Sequence, residues 1–195
     1  MIVDEFYRVG ADAIHEHDFN LSFTVKAVVP TSGGPVVQWK PIRGKRPPAD
    51  PEFDHLRPAA VLDALALTLA MRWERGRPLC PLDWKHKLTV NLPRLFPFEP
   101  EVGNGWCWLL AAGGNYLNAL DTPREMRTHE QKEKYGTLRW GIASVEFHQE
   151  VDEYTSCVDR LSGYICEDCG APGQIQAIRG WDRCVCHKHA VPSLR

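Results

Sequence analysis

The stretch Tyr164 to Ala190, Y-I-C-E-D-C-G-A-P-G-Q-I-Q-A-I-R-G-W-D-R-C-V-C-H-K-H-A, holds four of the chain's seven cysteines and two of its eight histidines. Cys166 and Cys169 form a C-x-x-C pair, Cys186 and His189 a C-x-x-H pair, and sixteen residues, 170 to 185, lie between the pairs. Two short knuckles joined by a hairpin-length spacer are how tetrahedral zinc is usually held. Each knuckle wraps one edge of the metal, and the spacer folds back to bring the edges together. The spacing predicts one zinc on Cys166, Cys169, Cys186 and His189, a hairpin through Gln174 to Arg179, and Trp181 covering the site. Cys184 and His187 compete for the second knuckle, but their spacing to Cys186 suits a knuckle poorly. Four protein ligands leave no open position, which is the structural kind of zinc.

The alternative for paired cysteines is a disulfide in a secreted protein. The start, M-I-V-D-E-F-Y-R-V-G, carries no basic segment followed by an apolar core, so no signal peptide is expected. A reducing, cytoplasmic setting then favours thiolates on metal over disulfides. At 195 residues the chain can bury one good core, or one core and a small satellite. A net charge of −2 makes the whole chain no obvious nucleic-acid binder. No apolar run reaches the ~18–20 residues of a membrane span.

Working back from the knuckles, Glu146 to Leu161 reads as an amphipathic helix with Phe147, Val151, Tyr154, Val158 and Leu161 on one stripe, ended by Gly163. Arg124 to Ala143 reads as a hairpin turning at Tyr135-Gly136, with Leu138, Trp140 and Ile142 inward. Asn104 to Leu120 reads as a helix capped by Asn104, in which Gly113 and Gly114 mark close packing or a break. Pro58 to Arg75 is the central helix. Pro58 suits its first turn, Gly76 its stop, and Arg72 and Arg75 its C-terminal dipole. Asn20 to Val29 alternates, with Leu21, Phe23, Val25, Ala27 and Val29 on one face, and Val36 to Trp39 returns as its partner strand. Ile2 to His17 reads as a short helix. The result is an α+β protein: an N-terminal hairpin-plus-helix lobe, residues 1–100, and a C-terminal helix-hairpin-helix lobe, 101–195, closed by the zinc module 164–190.

Several of these segments resemble one another's company in a known group. Gly105-Trp106 with Leu109-Leu110, K-E-K-Y-G-T-L-R-W over Lys132 to Trp140, C-E-D-C-G-A-P-G over Cys166 to Gly173, Gly180-Trp181 and the Cys186, His189, Ala190 end are similar to a set of small bacterial and phage or prophage zinc-knuckle proteins. These carry G-W-x-x-L-L, K-E-K-F-G-x-L-R-F and C-E-x-C-G-x-P-G…G-W…C-x-x-H at similar spacing. The match covers about residues 103–190. Tyr135 and Trp140 stand where the group has phenylalanine, and Cys184 is extra. The resemblance implies the same zinc ligands and no particular activity.

Catalytic signatures such as G-x-S-x-G, H-E-x-x-H or a phosphate loop are missing from the sequence, and Cys107 on an apolar helix face reads as packing. The expectation is a non-enzymatic protein that binds a macromolecule, with a protein partner favoured over nucleic acid and no small-molecule substrate or membrane. An accessory or inhibitor protein of a phage or mobile element, working in the host cytoplasm, fits that description. The candidate contact residues are Lys132, Lys134, Tyr135 and Arg139 around one turn and Lys40, Arg43, Lys45 and Arg46 on a basic arm. The arm keeps a nucleic-acid-binding zinc protein as the alternative, and a zinc-dependent enzyme is the second alternative.

Overall fold

A computed structural model of the chain describes residues 1–15, 22–42, 56–120 and 126–190. It is an α+β fold with five α-helices and three separate two-stranded antiparallel sheets among these residues. The helices are α1 (Ile2–His15), α2 (Pro58–Arg72), α3 (Trp84–Asn91), α4 (Cys107–Ala119) and α5 (Gln149–Ser162). The hairpins are β1–β2 (Ser22–Thr31, Gly34–Ile42), β3–β4 (Arg127–Lys134, Thr137–Ala143) and β5–β6 (Gln174–Ile178, Trp181–Val185).

Helix α2 is apolar on most faces because it is covered on most faces. It packs against α1, β2, α4 and α5, and Val61, Leu62, Leu65 and Leu69 are all buried. Pro58 opens it where an N–H would have no partner. The buried apolar residues of both halves of the chain, from Ile2 to Cys184, form one cluster around it. The stretches 1–100 and 101–195 thus share a core. A second, small cluster holds Cys166, Val185 and Cys186.

In β1 the alternation breaks where the sequence gives no sign of it. A bulge at Lys26, between Val25 and Ala27, shifts the register. Beyond it the faces exchange, so Val28 packs on the core and Ala27 is exposed. Residues Asn20 and Leu21 lie outside the described part. Helix α5 starts later than Glu146, with His148 at its N-cap, which leaves Phe147 ahead of the helix and 78 % exposed. Val151, Tyr154, Val158 and Leu161 are buried as the stripe requires. Asn104 does not cap α4. It begins a 3₁₀ turn, Asn104–Trp106, and its Oδ1 accepts from Trp84 Nε1 at 2.9 Å. Gly113 lets α4 lie on the hairpin β3–β4, since a Cβ there would come within 2.6 Å of the Trp140 ring.

The Tyr135-Gly136 turn has φ of 54° and 77°, both left-handed, as a two-residue hairpin turn of the primed kind needs. It places Leu138 and Trp140 in the core, at 0 % and 6 % exposure. No described helix is long and apolar enough to cross a membrane.

Candidate metal centre

Chain reversal after α5 delivers the first knuckle. Gly170 N donates to Cys166 O at 2.8 Å, closing the turn, and Gly170 holds a φ of 71° that a side chain would resist. The β5–β6 hairpin then folds back through Arg179-Gly180, with φ of 53° and 84°. Its end is the second knuckle, closed by the His189 and Ala190 N–H groups donating to Cys186 O at 2.9 and 2.8 Å. The hairpin is tied to the first knuckle by Glu167 N donating to Cys184 O at 2.9 Å. Arg183 on β6 adds ion pairs to Glu167 and Asp168, the two residues between Cys166 and Cys169.

These turns bring one ligand atom each from Cys166, Cys169, Cys186 and His189 within 4.8 Å of one another, a group that could hold a metal ion. The distances fit a tetrahedron. Metal–sulfur bonds of ~2.3 Å and metal–nitrogen bonds of ~2.0–2.1 Å give edges of about 3.8 Å between sulfurs and about 3.6 Å between sulfur and nitrogen. The Cys169 and Cys186 sulfurs are 3.7 Å apart. His189 Nδ1 lies 3.4 Å from the Cys166 sulfur and 3.3 Å from that of Cys186. Burial opposes ionisation of Cys186, but the backbone N–H groups of Lys188 and His189 bring its thiol down to about 7. Burial pushes Cys169 up to about 12, and the neighbouring Cys166 adds to the rise. Three crowded thiolates need a cation to stay ionised together, which a metal supplies.

Cys184 and His187 are outside the group. Cys184 is fully buried and belongs to the main core. Cys184→Ser is therefore expected to leave the metal-to-protein ratio unchanged by elemental analysis, at a cost of roughly 1–3 kcal/mol for a hydroxyl buried beside apolar neighbours. A fall in that ratio with the fold intact would move Cys184 into the site. Trp181, expected to cover the metal, stands 76 % exposed at the tip of β5–β6. Its cross-strand partner Ile178 and its face-mate Val185 pack beside Cys166 and Cys186, so Trp181 is left in solvent by its place at the turn, while the opposite face carries Cys184 into the main core.

The docking of the first knuckle is what sequence reasoning missed. Gly105 N donates to Glu167 O at 2.7 Å, and Trp106 Nε1 to Ile165 O at 2.8 Å. Arg72 Nη1 donates to Cys169 O at 2.8 Å. A Cβ on Gly105 would sit 2.0 Å from Cys166 O and 2.7 Å from Cys169 N, against backbone that cannot swing away. Gly105→Ala should consequently destabilise the chain by about 3 kcal/mol, the upper part of the range for overpacking, and weaken metal retention. Urea unfolding with metal analysis checks this; an alanine tolerated with no change in either would mean that the knuckle is not seated on the 3₁₀ turn. The signal was the Gly-Trp step itself, which the sequence shows without saying what it touches.

The candidate contact residues are dispersed. Lys132 and Arg139 are cross-strand partners, and each meets a carboxylate: Lys132 Nζ is 2.8 Å from Glu130, and Arg139 pairs with Asp159. Lys134 Nζ lies over the Tyr135 ring at 5.5 Å, with Tyr135 70 % exposed. Lys40 is exposed near the end of β2, on another hairpin. Arg43, Lys45 and Arg46 lie outside the described residues. Compared with models of protein families, with curated proteins and with solved structures, the chain matches none.

Proposed function

We propose that this chain is a non-enzymatic binding protein with a structural zinc, acting by contact with a protein partner as an accessory or inhibitor factor of a phage or mobile element in the host cytoplasm. The donor set supports zinc over harder cations, since thiolates and an imidazole in a tetrahedron suit it. Four protein donors leave no coordination position for a reacting water, which argues against a zinc enzyme. The observation that carries the reading is the pair of residues at two hairpin tips, Tyr135 and Trp181, 70 % and 76 % exposed where the other described tyrosines and tryptophans are far more buried. Gly136 meets Ile175 of β5, so the two hairpins adjoin. Exposed tyrosine and tryptophan are the side chains that dominate protein interfaces.

The cations favour a protein partner as well. Lys132 and Arg139 already meet carboxylates, which reduces what they can offer a phosphate backbone. Affinity capture from host extract after nuclease treatment tests the reading. The expected result is a partner held by the wild type and lost, about a hundredfold or more weaker, with Tyr135→Ala/Trp181→Ala, a loss of ~3 kcal/mol from two interface anchors. Metal content and the unfolding midpoint should not move. A partner indifferent to both substitutions would sink the proposal. Retention on a DNA or RNA column that weakens steeply with salt would favour the nucleic-acid alternative.

A further inference from the structure

Away from the knuckles, two more cysteines meet. Cys80 lies between α2 and α3, and Cys107 is the first residue of α4; their sulfurs are 3.1 Å apart. Cys80 Sγ also donates to the carbonyl of Asn104 at 2.9 Å, and Trp108 Nε1 holds the adjoining Leu79 carbonyl at 2.9 Å. The segment carrying Cys80 is thereby fixed over the start of α4. The two thiols have unequal surroundings. Cys107 is 1 % exposed, whereas Cys80 is half-buried and lines a cavity of about 200 Å³. Arg72, Arg75, Arg77 and Lys87 line that cavity too, Arg72 paired with Glu5 and Lys87 with Asp83, and Glu74 is the single carboxylate among its lining residues.

We propose that Cys80 and Cys107 form a reversible dithiol–disulfide couple that exchanges with small anionic disulfides entering this basic cavity. Cys80 is the attacking thiol, because it faces the cavity and its basic walls concentrate an anionic reagent. Its hydrogen bond with Cys107 lowers its pKa, against the effect of burial, and Arg72 lowers it further. Cys107 is the resolving thiol; burial holds its pKa well above the ordinary range, so it does not react first. In the first step the Cys80 thiolate attacks one sulfur of the small disulfide RSSR. A Cys80–SR bond forms, the S–S bond of RSSR breaks, and RS⁻ leaves. In the second step Cys107 attacks the Cys80 sulfur, its proton passes to the departing RS⁻, and the Cys80–Cys107 bond forms. The Cys80–SR bond breaks in this step, and the first RS⁻ takes up the proton that Cys80 gave to water on ionising, so two electrons move from the protein dithiol to RSSR, which ends as two RSH. A disulfide bond is ~2.05 Å long, so closure requires an approach of about 1 Å. The N-terminal end of α4 favours negative charge on Cys107 as it attacks.

The test uses the full-length chain with its metal as isolated, treated with glutathione disulfide, which is anionic, or cystamine, which is cationic, then alkylated and mapped by mass spectrometry. The expected product is a Cys80–Cys107 linked peptide, reversed by dithiothreitol, with the metal retained. Cys107→Ala should stop at a mixed disulfide on Cys80. The anionic reagent should react about tenfold faster than the cationic one, and Arg75→Gln/Arg77→Gln should remove that preference. The linked peptide in wild type stands as evidence even where Cys107→Ala folds poorly. Both thiols still free while the knuckle cysteines react, or a link that forms only after metal loss, overturns the couple. Equal rates with both reagents overturn the preference for anions.

Discussion

Stripping the metal by chelation, or Cys169→Ser, should melt the β5–β6 hairpin while the main core stays folded. The apolar cluster behind the knuckles is small: Cys166, Val185 and Cys186 are buried, with Cys169, Ala171, Ile178 and Ala190 partly so. Full burial of a side chain the size of Val185 contributes only ~1.5–3 kcal/mol. A structural zinc contributes ~10–16 kcal/mol in small metal-folded peptides, so the metal outweighs the local packing several-fold. The main cluster is built from residues ahead of Cys166, with Cys184 its one buried member among the described residues beyond the first knuckle. Hydrogen exchange should therefore show lost protection over Gln174 to Val185 and retained protection over α2. A metal-free chain that keeps slow exchange in β5–β6 would show that packing alone holds the hairpin. The same measurement on Cys184→Ser should look like wild type.

Sequence reading reached furthest where chemistry fixes spacing. The C-x-x-C and C-x-x-H pairs are short-range, and a metal needs its donors at bonding distance, so the four candidate ligands could be named in advance. The α5 stripe was legible because one side of a helix meeting a core repeats at a known period, and the start of α2 because proline suits a first turn; α2 ends at Arg72, three residues short of the expected Arg75. What stayed hidden was decided by pairing between distant segments. The bulge at Lys26 is a property of two strands together, and no residue in β1 announces it. Phe147 fits the α5 period but precedes the helix. Trp181 looked like a lid because it is large and close in sequence to the ligands; it shares a face with Val185, which packs by the knuckles, but sits at the hairpin tip, where the chain turns away from them. Asn104 and Arg72 were read by local rules, as a cap and a dipole partner. The Asn104 side chain serves Trp84 instead, and Arg72, in the last turn of α2 as expected, also holds the first knuckle.

Replacing Arg72 is expected to cost about 3–5 kcal/mol, the range for breaking a buried ion pair from one side. Its side chain is 6 % exposed and that of Glu5 15 %, with Arg72 Nε 3.2 Å from Glu5 Oε2. The same guanidinium donates to Cys169 O, and Glu5 also accepts from Trp73 Nε1 at 2.9 Å. One cation thus joins residues 5, 72 and 169, which is to say α1, α2 and the first knuckle. Arg72→Met keeps much of the apolar stem but leaves a poorly solvated carboxylate and an unserved carbonyl. Glu5→Gln removes the orphaned charge and preserves an acceptor for Trp73. The double variant should therefore be more stable than the sum of the two single losses predicts, by about 1–3 kcal/mol, the coupling typical of residues in one network. What remains of the loss in the double variant belongs to the Cys169 carbonyl, and it should appear as weaker metal retention that Glu5→Gln alone does not cause. Strictly additive losses in urea unfolding would mean that Glu5 and Arg72 act independently. Unchanged metal retention in Arg72→Met would mean that α2 carries the knuckle without this contact.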